Sequence, residues 1–310
     1  MEVMYKICCG LDVHKKVIVA CILSSNDKQI KSFGTMTEDI FELINWIKQN
    51  NCECVAMEST GVFWKPIYNL LEVELIPTLV VNARHIKNVP GRKTDVKDSE
   101  WIANLLKHGL LQGSYIPSRD QRELRELVRY RRSLIDERSR EANRLQKVLE
   151  GANIKLSSVA SNVLGASGRA MIKALISGVD DPVVLAELSK SKLRNKKDLL
   201  QKSLRGLIGH HQKMLLTAQL KHIDFLAEQI ENITQEVSIR LDDSSELIEL
   251  LDTVPGIAEK TAQDILAEIG TNMDQFPTAQ HLASWAGMVP GNNESAGKKK
   301  LREPVKVINH

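Results

Sequence analysis

Aromatic residues are scarce: four Trp, four Tyr and five Phe make up 4% of 310 residues. So few rings disfavour an extended stacking platform for single-stranded nucleic acid. No apolar run approaches the length needed to span a bilayer. The N-terminal MEVMYKICCG lacks the regions of a signal peptide. There is no C-x-x-C pair, and the five cysteines (Cys8, Cys9, Cys21, Cys52 and Cys54) are an odd set confined to the start of the chain. That excludes neither thiol chemistry nor oxidation, but it suggests no disulfide framework and no zinc site. Four of the five lie in short apolar runs, where Cys behaves as a small buried hydrophobe. The expected setting is therefore reducing and cytoplasmic, with no membrane partner. Net charge is only +3, with pI near 8.5, so what matters is where the basic residues cluster.

The length predicts two or three domains. Residues 5–12, 17–24 and 29–36 read as strands of an antiparallel meander, with VHKK as the first turn. Ile40, Leu43, Ile44 and Ile47 recur at helical spacing over 38–49. Strands at 54–59 and 77–82 then flank a helix near 63–73, and a further helix begins near Asp95. The order βββαβαβα makes 1–117 an α/β unit with a mixed sheet and a ribonuclease H-like layout. The remainder is mainly α, divided at 243 into a helical region (118–243) and a C-terminal domain (244–310).

Residues 119–150 contain neither Gly nor Pro and hold nine arginines. Leu124, Leu127, Leu134, Ala142, Leu145 and Leu149 give this long helix an apolar stripe. Its other face is basic but interspersed with acids. It reads as a solvated face or, because Arg pairs bidentately with phosphate, as a nucleic-acid contact through Arg122, Arg125, Arg129 and Arg132. Leu216, Leu220, Ile223, Leu226, Ile230, Ile233 and Val237 mark a second long helix over 211–240, a coiled-coil arm or a core helix. The two long helices could pair antiparallel within the chain or form a dimer seam. KSKLRNKK (190–197), between them, is a second basic patch. In 246–270 a helix, the turn Val254-Pro255-Gly256-Ile257 and a second helix follow the helix-hairpin-helix pattern, whose Gly256 turn offers backbone N–H groups to phosphate. An ordinary corner between two helices reads the same way. Residues 286–300 read as a loop, and the last ten as irregular.

Four acids fall on the elements where an α/β sheet builds a site. Asp12 ends the first strand, Glu58 ends a later one, and Asp95 and Asp98 open the helix after the sheet. Asp95 and Asp98 alone could be a solvated first turn. As a set, four carboxylates suit a hard divalent cation, most simply Mg²⁺. Two such ions could serve phosphodiester cleavage. Ser295 sits among small residues in GNNESAG, with Lys298, Lys299 and Lys300 following. A serine there could be a nucleophile beside a phosphate, although a Gly/Asn/Ser loop is more often only a loop.

In this order, GLDVHK, MESTG, RKTDVKDSEW, the VPGI hairpin and AGMVPGNNESAGK resemble the DEDD-type insertion-sequence transposases, the bridge-RNA-guided DNA recombinases. The resemblance runs to about residue 300. It implies a Holliday-junction-resolvase-like first domain carrying Asp12, Glu58, Asp95 and Asp98, a coiled-coil arm, and a C-terminal transposase domain in which Ser295 matches the nucleophile. It implies Mg²⁺, a covalent 5′-phosphoserine link to DNA, and a dimer or tetramer in which another subunit supplies the acids. The partners would be donor and target double-stranded DNA and a structured guide RNA, in a bacterial or archaeal cytoplasm. Delegating sequence reading to RNA suits basic helices with no base-reading module. One departure is the ending KKKLREPVKVINH, which reads as truncated where the family continues into a basic Gly-rich turn and more helix. That keeps open a second reading, a non-catalytic nucleic-acid-binding remnant. A sugar-kinase-type phosphotransferase also opens with strand–Asp–turn, but the Gly-rich phosphate loops it needs are missing after residue 100.

Overall fold

The computed structural model describes residues 3–25, 27–59, 61–82 and 98–288, and the backbone of 292–295 and 298–301. Its first three strands, β1 (Cys8–Val13), β2 (Ile18–Leu23) and β3 (Lys28–Phe33), form the expected antiparallel meander. Then come α1 (Thr37–Gln49), β4 (Cys54–Glu58), α2 (Trp64–Val73), β5 (Thr78–Val81) and α3 (Asp98–Lys107). The sheet order is β3-β2-β1-β4-β5, with β4 parallel to β1 and to β5. β1 is thus the central strand of a mixed five-stranded sheet, consistent with the ribonuclease H-like layout. Parallel neighbours need a crossover, and α1 and α2 with their connections supply the length.

Side chains alternate across the pleat, and that sorts β1 into two faces. Cys9, Leu11 and Val13 join Val55 and Met57 of β4 and the apolar stripes of α1 and α2 in one core. Cys8 and, on β4, Cys54 and Ala56 join Ile102, Leu105 and Leu106 of α3 in another. The sheet is therefore covered on both faces, which explains why its strands read as nearly continuous apolar runs. Burial holds the Cys8 and Cys52 thiols at about 12, far from the reactive range.

The remaining helices are α4 (Arg119–Gly151), α5 (Ala166–Ser177), α6 (Pro182–Glu187), α7 (Lys197–Ser203), α8 (His210–Arg240), α9 (Ser245–Asp252), α10 (Glu259–Ile269) and α11 (Ala279–Trp285). The chain divides into two compact units, 1–119 with 274–310, and 120–273. In the second unit α4 and α8 run antiparallel within one chain. Leu124 and Val128 cluster with Val237 and Leu241, Leu134 with Leu226 and Ile230, and Leu145 and Leu149 with Leu216, Leu220 and Ile223. The described pairing of these stripes is thus internal to the chain, where sequence left an internal pair and a dimer seam both open. No described helix is long and apolar enough to cross a membrane.

The loop expected over 286–300 is corrected. Its backbone forms two antiparallel strands, β6 (Asn292–Ser295) and β7 (Lys298–Leu301), with Ser295 opposite Lys298. NNES and KKKL are almost wholly polar, so no apolar alternation announced a strand. The two-residue spacing between them was the legible hairpin signal.

Candidate functional site

The site begins with a missing side chain. A Cβ on Gly10 would lie 2.3 Å from the Ser99 carbonyl oxygen and 2.4 Å from the Ala103 nitrogen. Helix α3 therefore crosses β1 in backbone contact, which is possible because Gly10 faces Ser99 and Ala103, small residues four apart on the helix. Both helix ends are tied. The Lys28 ammonium meets Glu100 at 2.9 Å, and the Lys107 ammonium donates to the Ser24 carbonyl at 2.6 Å. The Cys8 thiol donates to the Ala103 carbonyl at 3.4 Å.

This crossing brings acids together. Cys8, Gly10 and Asp12 share the face of β1 that α3 covers, and Cys54, Ala56 and Glu58 share that face of β4. Leu11 pairs with Met57, so Asp12 and Glu58 are the next residues along two parallel neighbours. Both lie at the carboxyl ends of their strands, where α/β sheets place ligands. Asp98 is the first residue of α3. Burial, first, raises the Asp12 carboxyl above the ordinary range. His14 opposes this, while Asp98 and then Glu58 add like-charge repulsion in the same upward direction. Asp98 and Glu58 are thus each within electrostatic reach of Asp12. Asp95 lies outside the described residues.

His14 is a member the sequence reading passed over as part of a turn. Its Nε2 is 3.1 Å from Asp12 Oδ2. The turn is closed by the His14 amide donating to the Val17 carbonyl (2.9 Å) and pinned by the Thr35 hydroxyl donating to the Lys15 carbonyl (3.2 Å). It exposes Lys15 and Lys16 beside the acids. The signal was available as two lysines following an acid at a strand end.

The donor set is all carboxylate with one imidazole, which fits a hard divalent cation in type. Among the described residues, no three ligating groups are close enough to enclose one. The fit therefore rests on the convergence of like charges on Asp12, an arrangement a cation would relieve.

The arginines of α4 divide by what they touch. Arg129 grips Glu268 through two bonds, at 2.7 and 2.9 Å, and Arg125 lies 3.2 Å from the same carboxylate. Arg125 also donates to the Glu268 carbonyl, and Gln121 to the Leu266 and Ala267 carbonyls. These donors reach the carbonyls of the last turn of α10, where the Gly270 amide also donates to Leu266. Arg131, only 2% exposed, donates to Gln263 (2.8 Å) and Asp264 (2.7 Å). Arg132 is 69% exposed, with Asp136 at 3.6 Å one turn along. Gly256 has φ +91° and open space where a Cβ would sit, so it is the turn's backbone that selects glycine there. Lys298 and Lys299 lie on β7 and Ser295 on β6, in a two-stranded sheet distinct from the five-stranded sheet that bears Asp12 and Glu58.

Two sequence families match this chain in order. A DEDD-type transposase model matches residues 9–154, the stretch holding the acids, and the transposase IS116/IS110/IS902 family matches 248–309, the stretch holding Ser295. The chain belongs to the IS110 family of DEDD transposases. Among its relatives is the pilin gene-inverting protein of Moraxella lacunata, 23% identical over 97% of this chain and 81% of that protein; its Moraxella bovis counterpart gives the same figures. The transposase for insertion sequence element IS1533 of Leptospira borgpetersenii is 28% identical over 49% of this chain and 45% of its own length. In this IS110-family transposase, the first match ends just past α4 and the second begins inside α9.

Proposed function

We propose that this transposase cuts and rejoins DNA with Ser295 as nucleophile and with Asp12, Glu58, Asp95 and Asp98 as its acidic centre. The observation that carries the reading is the shared sheet face of Asp12 and Glu58, covered by the helix that Asp98 opens and that crosses at Gly10. These carboxylates would hold Mg²⁺, which supplies Lewis-acid stabilisation of charge on phosphate oxygens when bound. The Ser295 oxygen attacks a DNA phosphorus, and its proton leaves to a neighbouring base. A 5′-phosphoserine ester forms as the bond to the 3′ oxygen breaks, and that oxygen takes up a proton to become a 3′ hydroxyl. Rejoining reverses this: a 3′ hydroxyl attacks the phosphoserine and the serine leaves. Asp12 keeps the site anionic until a cation or a proton arrives, and His14 orients its carboxylate. Lys15 and Lys16 are placed to hold a neighbouring phosphate as point charges.

The nucleic-acid expectation for α4 is narrowed in this proposal to the exposed Arg132. Arg125 and Arg129 are engaged with Glu268, so we assign them to holding α10, whose preceding turn contains Gly256. Donor and target duplex DNA, a structured guide RNA, a dimer or tetramer in which acids and serine come from different subunits, and a cytoplasmic setting complete the reading. They rest on the resemblance. Lys298 and Lys299 would steady the phosphate attacked by Ser295.

The test is strand joining by the purified chain with its RNA and Mg²⁺. Ser295→Ala and Asp98→Asn should each abolish joining while nucleic-acid binding persists. Joining by both variants at the parent rate rejects the assignment. Binding without joining by the parent supports the non-catalytic remnant instead.

A further inference from the structure

The charge of this protein is concentrated where neither family match reaches. Residues 151–213 hold eleven Lys and Arg against four Asp and Glu, a net +7, in a chain whose total is +3. Everything else therefore sums to −4. This segment lies between the matches at 9–154 and 248–309 except for its first four residues. It is built as one small body at the tip of the long helix pair. Ile154, Leu156, Met171, Ile172, Leu185 and Leu200 share a core with the adjoining ends of α4 and α8. The Lys155 amide donates to the Ser203 carbonyl at 2.7 Å and the Lys190 amide to the Ser167 hydroxyl at 2.9 Å, tying the pieces together.

Three of its four acids have a local role, and the fourth is the exposed Asp180. Asp181 caps α6 by accepting from the Val183 amide (2.8 Å), Glu187 pairs with Lys197 (2.6 Å), and Asp198 lies in the first turn of α7. Lys190, Lys192, Lys196 and Lys202 are exposed, and no described side chain pairs with their ammonium groups. Lys190 and Lys196 stand two 3₁₀ turns apart, on one face and about 12 Å from each other at a rise of about 2 Å per residue. That is the spacing of a few phosphates along a backbone, and such uncompensated charge gains by releasing counterions from a polyanion. The segment contains no Phe, Tyr or Trp. Without rings it has no platform on which to stack unpaired bases. Eight of its eleven cations are Lys, point charges without the planar fork that reads guanine.

We infer that the tip of the helix pair is a docking surface for double-helical nucleic acid, held through its phosphate backbone by Lys190, Lys192, Lys196 and Lys202. This goes beyond the cut-and-rejoin reading and does not depend on it: a chain that never joins DNA would still dock here. The experiment measures binding of the full chain to a DNA duplex, an RNA duplex of the same sequence, and the single strands, by fluorescence anisotropy across a salt series. Changing the four lysines to Gln should weaken binding at least about tenfold for one or both duplexes. It should also flatten the salt dependence by about 3 to 4 units of log–log slope, near 0.9 per lost contact. Changing the same four to Arg should restore both affinity and slope. The thermal transition should stay in place in both variants, because none of these side chains has a partner to lose. Loss on DNA alone or RNA alone identifies which duplex docks there. Unchanged affinity and slope on both duplexes, or a loss confined to single strands, overturns the inference.

Discussion

The clamp on α10 gives the sharpest energetic prediction. Arg131 is 2% exposed and gives its two terminal nitrogens to Gln263 and Asp264, while Asp264 remains 40% exposed. Removing one partner of a buried ion pair costs about 3–5 kcal/mol when the other charge is stranded. Water reaches the Asp264 side, so Asp264→Ala should fall below that range, at about 2–3 kcal/mol. Arg131→Met fills most of the volume and strands the Gln263 oxygen, for about 1–3 kcal/mol. With the guanidinium gone, the carboxylate has nothing left to satisfy. The double variant should then cost little more than Arg131→Met alone, a coupling of about 1.5–3 kcal/mol. Urea denaturation followed by circular dichroism reads all four corners of the cycle. High salt should change the coupling little, because ions cannot reach the guanidinium. Costs that simply add would refute the pairing and, with it, the claim that α4 fixes the hairpin helix.

Further predictions concern the acid site. Gly10→Ala drives a methyl into the backbone of α3, so it should lower the melting temperature and abolish joining by displacing Asp98. A fully stable, active variant would mean that the helix does not cross at Gly10. Asp12 has its folded pKa raised, so its favourable contribution exists below the ordinary carboxylate range and is lost as pH rises through the raised value. Asp12→Asn should therefore raise the melting temperature of the metal-free chain at neutral pH, with the difference shrinking as pH falls through the raised value and gone below about pH 4. A variant less stable than the parent at neutral pH would contradict the sign. Mg²⁺ should raise the parent's melting temperature through linkage. The shift should vanish in Glu58→Gln/Asp98→Asn, and an equal shift in that variant would place the cation elsewhere.

Much of this was legible in the chain because period and punctuation agree. The meander and the strand ending in MES announced themselves through β-branched runs bounded by turns. What escaped was information held between elements. GLD shows a glycine, but only the packed structure shows that α3 occupies its missing Cβ. The apolar stripes on α4 and α8 are compatible with an internal pair or a second chain, and it is the structure that shows Leu124 clustered with Val237 and Leu149 with Leu216 inside one chain. Nine arginines on one helix look like a phosphate-binding face, yet Arg125, Arg129 and Arg131 are spent on Glu268, Gln263 and Asp264, more than 130 residues away in sequence. β6 and β7 lack apolar alternation altogether.

The central claim is that the carboxylates on β1, β4 and α3 act together with Ser295 on DNA. Its most direct measurement is mass-spectrometric mapping of the covalent protein–DNA adduct formed with Mg²⁺. The account predicts a phosphodiester link on the peptide containing Ser295, lost in Ser295→Ala and absent when Asp98→Asn is the only chain present. An adduct on another residue, or full strand joining by Ser295→Ala, would contradict it.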